Sequence, residues 1–412
     1  MKTAILTAGC RLNQADSDLL RGRLAAAGAV FVDEPERADI CYVNTCSVTA
    51  AADRSSIQLV RRAGRAGRVV VLGCLAECEP QRLAGLPGVV EVWGRQRLAA
   101  ELARARPAPV RSRAFLKVQD GCDRGCGFCR PGRLRGAPVS VPPEAVVEQL
   151  HGLVETGFRE IVLTGLNLGL YRSNGLDLAG LVGRLLEVGG RFRLRLGSLE
   201  PDTVTDRLAA ACGNERVCPH FHLALQSGDD ALLAKMNRRH SVADSRRAVA
   251  ALLSVRPEAR VGADVIAGLP GEDEDSFGRT RAFVAGLGLG YLHVFRFSAR
   301  EETPAAAMPD TVPEQGKRER VNRLRGLSDG LAERYSARFA GTVRVAVVES
   351  SRTALTDNYL RVRLEGPVPV PPRGLARVLV TGGGKRPSGR VVETRTGNPA
   401  DRAGDRELLE VQ

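Results

Sequence analysis

The sequence predicts an α/β protein with an N-terminal doubly wound parallel-sheet domain, a central partial βα barrel and a small C-terminal β-barrel. Three observations lead there. Short apolar runs alternate with amphipathic ones over the first hundred or so residues. The alternation resumes with longer helical runs from Ala114 to Ser298. Beyond an arginine-rich helical stretch the pattern becomes Val/Arg alternation cut by Pro and Gly. A length of 412 residues also exceeds the usual single domain. With 43% hydrophobic and 26% charged residues the chain is neither disordered, collagenous nor coiled-coil, and 4% aromatic content leaves its cores to Leu, Val and Ala.

In residues 1–103, the runs Ala4–Ala8, Ile40–Asn44, Val69–Gly73 and Val89–Val92 read as strands, and Ser17–Ala27, Ala50–Ala63 and Gln96–Ala103 as helices. Pro107 and Pro109 then mark a linker. Across 112–312 the expected strands are Phe115–Val118, Glu160–Thr164, Phe192–Leu196, His220–Leu225, Val261–Ala267 and Tyr291–Phe297. Helices are expected between them at Glu144–Glu155, Leu178–Val188, Thr203–Ala211, Val242–Leu253 and Glu274–Leu287. Six βα units suit a partial barrel, although periodicity alone also allows a second open sheet. Residues 313–339 read as a linker helix with its proline at the start, where a helix tolerates one. Residues 340–400, with turns at Pro367–Pro372 and Gly382–Gly384, read as a small β-barrel, and 401–412 as a tail.

Lys2–Cys10 has the outline of a lipoprotein signal, but it is short, carries two threonines and runs straight into helical sequence. No window reaches the roughly 18 consecutive apolar residues of a membrane span. The expectation is a cytoplasmic protein with no membrane partner, whose ten cysteines serve as metal ligands or core residues rather than disulfides. The net charge of +13 points to a polyanionic partner. Lysine occurs only at Lys2, Lys117, Lys235, Lys317 and Lys385, so the excess is arginine. Much of it lies late in the chain, with seven basic against four acidic residues in 313–339 and ten against four in 340–400. A solvated surface is the plain reading, but on a small β-barrel such charge favours RNA.

Cys122-x-x-x-Cys126-x-x-Cys129 follows directly on an expected strand, in a glycine-rich loop. Zinc usually takes four protein ligands at paired spacings, and no fourth partner lies nearby. Three soft ligands suit an iron–sulfur cluster with one iron left open. Cys10, Cys46 and Cys74 share a position rather than a spacing, since each lies just past the carboxyl end of an expected strand. In a parallel sheet those ends form the edge where ligands bind, so the three sulfurs can converge. Three unrelated buried thiols are the alternative. Cys41, Cys78, Cys212 and Cys218 read as structural. Gly382-Gly383-Gly384-Lys385 lacks the spacing and the Ser/Thr of a phosphate loop. His151, His220, His222, His240 and His293 show no metal-motif spacing, and packing is the expected role of His220 and His222.

On these residues the chain resembles the radical S-adenosylmethionine (SAM) tRNA methylthiotransferases over nearly its whole length. Gly9-Cys10-x-x-Asn13, Asn44-Thr45-Cys46-Ser47-Val48-Thr49 and Gly73-Cys74-x-Ala76 look like the family's N-terminal cluster motifs. Cys122, Cys126 and Cys129 match the radical-SAM triplet, with Phe128 in the usual aromatic place and Arg135-Gly136 following. Thr356-x-Asn358-Tyr359 looks like part of a TRAM RNA-binding domain. Departures are Glu77 in place of glutamine, a shifted proline in Arg130-Pro131-Gly132, and Ser140-Val141 where Ser-Arg is usual.

The resemblance implies two [4Fe-4S] clusters, on Cys10/Cys46/Cys74 and on Cys122/Cys126/Cys129, and SAM as cosubstrate. Strand-end positions then become candidates for cradling SAM, namely Gly165, Asn167, Ser198, Glu200, Gln226 and Gly268, together with Phe128. The implied partners are the anticodon stem-loop of tRNA and an electron donor such as flavodoxin or ferredoxin. No catalytic acid–base pair is required beyond the cluster ligands. Several stretches, among them Glu160–Gly165, Ser198–Pro201, Leu225–Gly228, Lys235–Arg239 and His293–Phe295, are most similar to the threonylcarbamoyladenosine (MtaB-type) branch, with Asn167 replacing a histidine common there. The implied reaction is conversion of N6-threonylcarbamoyladenosine at position 37 of tRNA to its 2-methylthio form. The alternatives are the same chemistry on N6-isopentenyladenosine or on a ribosomal-protein aspartate, and, in a different class, a non-catalytic metal-containing RNA-binding protein.

Overall fold

The computed structural model describes residues 1–366 and 368–394; Pro367, residues 395–400 and the expected tail at 401–412 lie outside the described residues. The chain opens with a five-stranded sheet in the order Val30–Phe31, Lys2–Thr7, Ile40–Thr45, Arg68–Gly73, Val89–Val92. Every pairing in it is parallel. Alternate residues of the central strands serve opposite layers. Cys41, Val43, Val69 and Val71 pack with Ile57, Val60 and Ala63 of the helix Ala50–Ala66. Ile40, Tyr42, Val70 and Leu72 pack with Leu20 and Leu24 of the helix Arg11–Ala26. Burial on both faces is why these strands read as unbroken apolar runs. The edge strand Val30–Phe31 escapes sequence reading because two residues carry no period.

Six parallel strands follow in chain order: Ala114–Lys117, Glu160–Thr164, Arg193–Leu199, His220–Gln226, Arg260–Ala267 and Tyr291–Arg296. The third is two segments joined at Gly197. Arg193–Leu196 pairs back to Glu160–Leu163, and Ser198–Leu199 pairs forward to His222–Leu223. Strand order never reverses, so this is a partial βα barrel rather than a second doubly wound sheet. Outward residues such as Ile161, Leu163, Leu194, Leu196, Leu223 and Val261 enter the largest apolar core beneath the helices. The residues alternating with them are largely polar: Lys117, Glu160, Arg193, Arg195, His220, His222, Asp264, Tyr291 and His293. Gly262 is needed there, since a Cβ on it would lie 2.0 Å from Cζ of Tyr291.

Two other parts of the chain pack against this inner face. Ala15, on the helix Arg11–Ala26, packs on Phe115 and Val162. At the amino-terminal end of the strands, Arg193 donates to the carbonyls of Val345 and Leu355, and Arg195 to those of Thr356 and Asp357. The accepting carbonyls belong to a closed five-stranded barrel ordered Val343–Ser350, Thr353–Thr356, Arg361–Leu364, Ser388–Thr394, Leu375–Val380. Its core includes Ala346, Val348, Ala354, Val362 and Val378. The helix Glu314–Ala337 connects the two barrels. Among the described residues no helix is long and apolar enough to cross a membrane.

Candidate active site

Cys10, Cys46 and Cys74 follow the strands Lys2–Thr7, Ile40–Thr45 and Arg68–Gly73. Glycine is required beside them. Gly9 has φ +112°, and a Cβ there would sit 2.8 Å from Cβ of Cys46. Gly73 has φ +95°, and its Cβ would meet Thr45 O at 2.4 Å. Asn13 ties the loops together: the Cys10 thiol lies 3.2 Å from its Oδ1, and its Nδ2 donates to Asn44 Oδ1 (2.9 Å) and Thr45 O (2.8 Å). Burial pushes the Cys74 thiol up to about 11, opposed by the Arg135 guanidinium, while Cys10 and Cys46 add to the rise.

Cys122, Cys126 and Cys129 occupy the loop between the short strand Gln119–Asp120 and the helix Arg130–Arg135. Each sulfur accepts from an N–H group: Cys122 from Asn167 Nδ2 (3.8 Å), Cys126 from Arg238 Nη1 (3.1 Å) and Cys129 from the Gly132 amide (3.4 Å). Burial raises the Cys129 thiol to about 12. A bound cation would reverse that balance and deprotonate such thiols. Among the described residues, the trios of possible ligands whose atoms all lie within 4.8 Å of one another are His222/Asp264/His293 and Glu200/Asp202/His240. The cysteine donor set fits iron–sulfur ligation with one iron open.

Arg135 stands between the two cysteine sets. It donates to Asp120 Oδ2 (2.9 Å) and Asp16 Oδ2 (3.1 Å), and its charge acts on Cys74. Lys117 completes the network at 2.7 Å from both aspartates. A second link joins the same two parts of the chain. Arg130 donates to Ser47 Oγ at 2.9 Å, and Arg300 pairs with Asp53.

The expected SAM-cradling residues do not all fall together. Asn167 is buried beside Cys122, its backbone N donates to Gln119 Oε1 (2.9 Å), and its Oδ1 has no partner among the described residues. Gly165 faces the same Gln119 side chain. Glu200 pairs with Arg238, whose guanidinium also lies 6.0 Å from the Phe128 ring centre. Ser198 is exposed at its strand end. Gln226 ends its strand at φ +69°, a costly conformation for a residue with a side chain. On Gly268 a Cβ would lie 2.4 Å from Lys317 Cγ, so Lys317 covers that side of the glycine. Of the remaining cysteines, Cys41, Cys212 and Cys218 are buried, and the Cys78 thiol bonds Ser47 Oγ. The roles of Arg135, Arg238 and the His222/Asp264/His293 group escaped sequence reading. These residues come from different strands and loops, and no local spacing announces them.

His240 reports on the Glu200–Arg238 pair. Burial and the Arg238 guanidinium hold its pKa down at about 4, against 6.5 for a free imidazole. The unfolded chain therefore takes up a proton between pH 6.5 and about 4 that the folded chain refuses, and stability falls as pH drops through that window. His240→Gln should reduce the loss between pH 7 and pH 5 by about 1–2 kcal/mol in denaturant titrations. An equal loss in both proteins would refute the assignment.

Residues 2–94 match the family described as "Uncharacterized protein family UPF0004", and residues 116–284 match the radical SAM superfamily. The chain is 35% identical over 399 residues to the threonylcarbamoyladenosine tRNA methylthiotransferase MtaB of Aquifex aeolicus, covering 89% of this chain and 97% of that one. It is 33% identical to the Bacillus subtilis protein of the same name, covering 88% and 90%. Among solved structures, the radical SAM methyltransferase TsrM of Kitasatospora setae superposes with a TM-score of 0.55 at 14% identity, over 74% of this chain and 75% of that one. That likeness is one of fold.

Proposed function

Because the chain belongs to the radical SAM tRNA methylthiotransferases, tRNA-modifying enzymes that use an iron–sulfur cluster and SAM, we propose that it converts N6-threonylcarbamoyladenosine at position 37 to its 2-methylthio form. The observation that carries the reading is the pair of cysteine sets on either side of the Arg135 network. Cys122, Cys126 and Cys129 would hold one [4Fe-4S] cluster, and Cys10, Cys46 and Cys74 would hold a second. When bound, the clusters and SAM would supply the one-electron and sulfur-transfer chemistry that methylthiolation of an unactivated C–H requires.

The chain's own residues hold and orient. Arg238 fixes Cys126 and Glu200 together, and Asn167 offers its unpartnered Oδ1 beside Cys122. Asn13 and Asn44 brace the loops around the other set. No side chain needs to move a proton in the radical step. The polar inner wall of the barrel favours a threonylcarbamoyl substituent over an isopentenyl one, which would need an apolar pocket. The anticodon stem-loop, a flavodoxin- or ferredoxin-like reductant and a cytoplasmic setting complete the proposal. Membership of a transferase family sets aside the non-catalytic reading. Mass spectrometry of digested tRNA from a deletion strain tests the substrate. Loss of methylthio-threonylcarbamoyladenosine is expected, whereas loss of the methylthio-isopentenyl nucleoside instead would refute it.

RNA affinity should reside in the C-terminal barrel. Deleting that barrel is a poor test, because Arg193 and Arg195 would lose buried acceptors. Exposed Arg352, Arg363 and Arg390 can be changed to alanine instead. For every phosphate that no longer meets a cation, the salt dependence of tRNA binding should flatten by roughly 0.7–0.9 in log–log slope. An unchanged slope in the triple variant would count against this surface.

A further inference from the structure

Arg11 immediately follows Cys10 and begins the helix Arg11–Ala26. Its Nη2 donates to Tyr359 Oη at 2.9 Å, and its guanidinium carbon lies 6.0 Å from that ring's centre. Tyr359 stacks on His220 at 3.8 Å between ring centres, and His220 Nε2 lies 2.8 Å from Tyr291 Oη. The guanidinium thus sits against the inner wall of the partial barrel, one residue from a candidate cluster ligand.

Most other cations of this region already have anionic partners. Arg113, Arg193 and Arg195 face Glu160. Arg135 and Lys117 face Asp16 and Asp120. Arg130 and Arg300 share Asp53, and Arg238 has Glu200. Arg260 lacks a carboxylate, but it donates to the carbonyls of Tyr359 and Gly290 and lies over the rings of Tyr291 and Tyr335. Arg11 differs in having, among the described residues, only a phenol as the acceptor of its guanidinium. Among the described residues no carboxylate lies within 4.0 Å of it, and a neutral phenol takes one of its five N–H groups. The nearby acids are already engaged, Asp264 with His222 at 2.8 Å and Asp357 with Arg344 at 2.8 Å. A partly buried arginine with most of its fork unused suits a planar oxyanion, held in bidentate fashion.

We propose that Arg11, braced by Tyr359, is the binding site for the free carboxylate of the amino-acid group carried by the substrate adenine. This rests on the threonylcarbamoyl reading above. A backbone phosphate offers similar oxygens, so the test must separate the two. Two anticodon stem-loops serve as probes, one bearing threonylcarbamoyladenosine and the other its carboxyl methyl ester. Affinity is measured on the full-length protein without SAM, and kcat/KM on the cluster-loaded enzyme. The wild-type protein should prefer the acid by about tenfold or more. Arg11→Gln should erase that preference through Kd and KM, and Arg11→Lys, which keeps the charge but not the fork, should keep part of it. Equal use of acid and ester by the wild-type protein overturns the site without recourse to any variant. So does an Arg11→Gln protein that retains the preference. A loss that is equal for both probes would assign Arg11 to phosphate and overturn it too. Turnover of an isopentenyladenosine stem-loop in place of the acid would sink the substrate reading, and this site with it.

Discussion

Cys122→Ala should abolish reductive cleavage of SAM, whereas Cys10→Ala should still form some 5′-deoxyadenosine and yield no methylthio product. The asymmetry follows from where the two cysteines sit. Cys122 belongs to the loop that also holds Cys126 and Cys129, beside Asn167 and near Glu200, and losing one of three thiolates removes the open iron to which SAM would bind. Cys10 lies on the other side of the Arg135 network, follows a strand of a different sheet, and is braced with its partners by Asn13. Its loss should leave the first cluster in place. Anaerobic reconstitution, iron and sulfide analysis and chromatography of both products would settle the matter. Two fully active variants would end the cluster assignment, and zinc in place of iron would end it as well.

Glu160→Gln should cost about 3–5 kcal/mol of stability, the usual penalty for leaving buried charge without its partner. Glu160 is fully buried and accepts from Arg193 Nε (2.8 Å) and Nη2 (2.5 Å), and from Arg195 Nε (2.7 Å) and Nη2 (3.1 Å). Arg113 adds a third guanidinium at 3.6 Å. Burial alone would raise the carboxyl pKa, but the guanidiniums of Arg195 and Arg193 prevail and hold it well below the usual carboxylate range. The stabilisation is therefore complete above pH 4.5 and is lost as the solution is acidified below it. The variant should lack that acid-sensitive component. Denaturant unfolding at pH 7 and in acid would measure both effects, and a change under about 1 kcal/mol at pH 7 would contradict the arrangement described.

This second site explains where sequence reading stops. Arg193-Leu-Arg-Leu196 alternates as an amphipathic strand should, and alternation alone sends the arginines to water. They point inward because Leu194 and Leu196 are claimed by the helices outside, and because a segment some 160 residues further on supplies carbonyl acceptors. The cysteine sets were legible for the opposite reason. Three of them sit in one loop, and the other three occupy equivalent strand ends, which parallel topology brings to a single edge. Six strands were legible as βα units, but only their unbroken order distinguished a barrel from an open sheet. Arg135 and Arg238 stood in stretches already matched to the family, yet their roles depend on Asp16, Asp120 and Glu200, none adjacent in sequence.

The seat that the C-terminal barrel provides for Arg193 and Arg195 also bears on how the chain is made. Arg195 donates to the carbonyl of Asp357, 162 residues later. At the translation rates of ~5–20 residues per second, that acceptor leaves the ribosome roughly 8–30 seconds after the arginine it serves. Through that interval the nascent central strands carry a charged layer with Glu160 as its anion and no lid beneath it. Vectorial synthesis would then hold this segment in a wet, unsealed state until the last module arrives to close it.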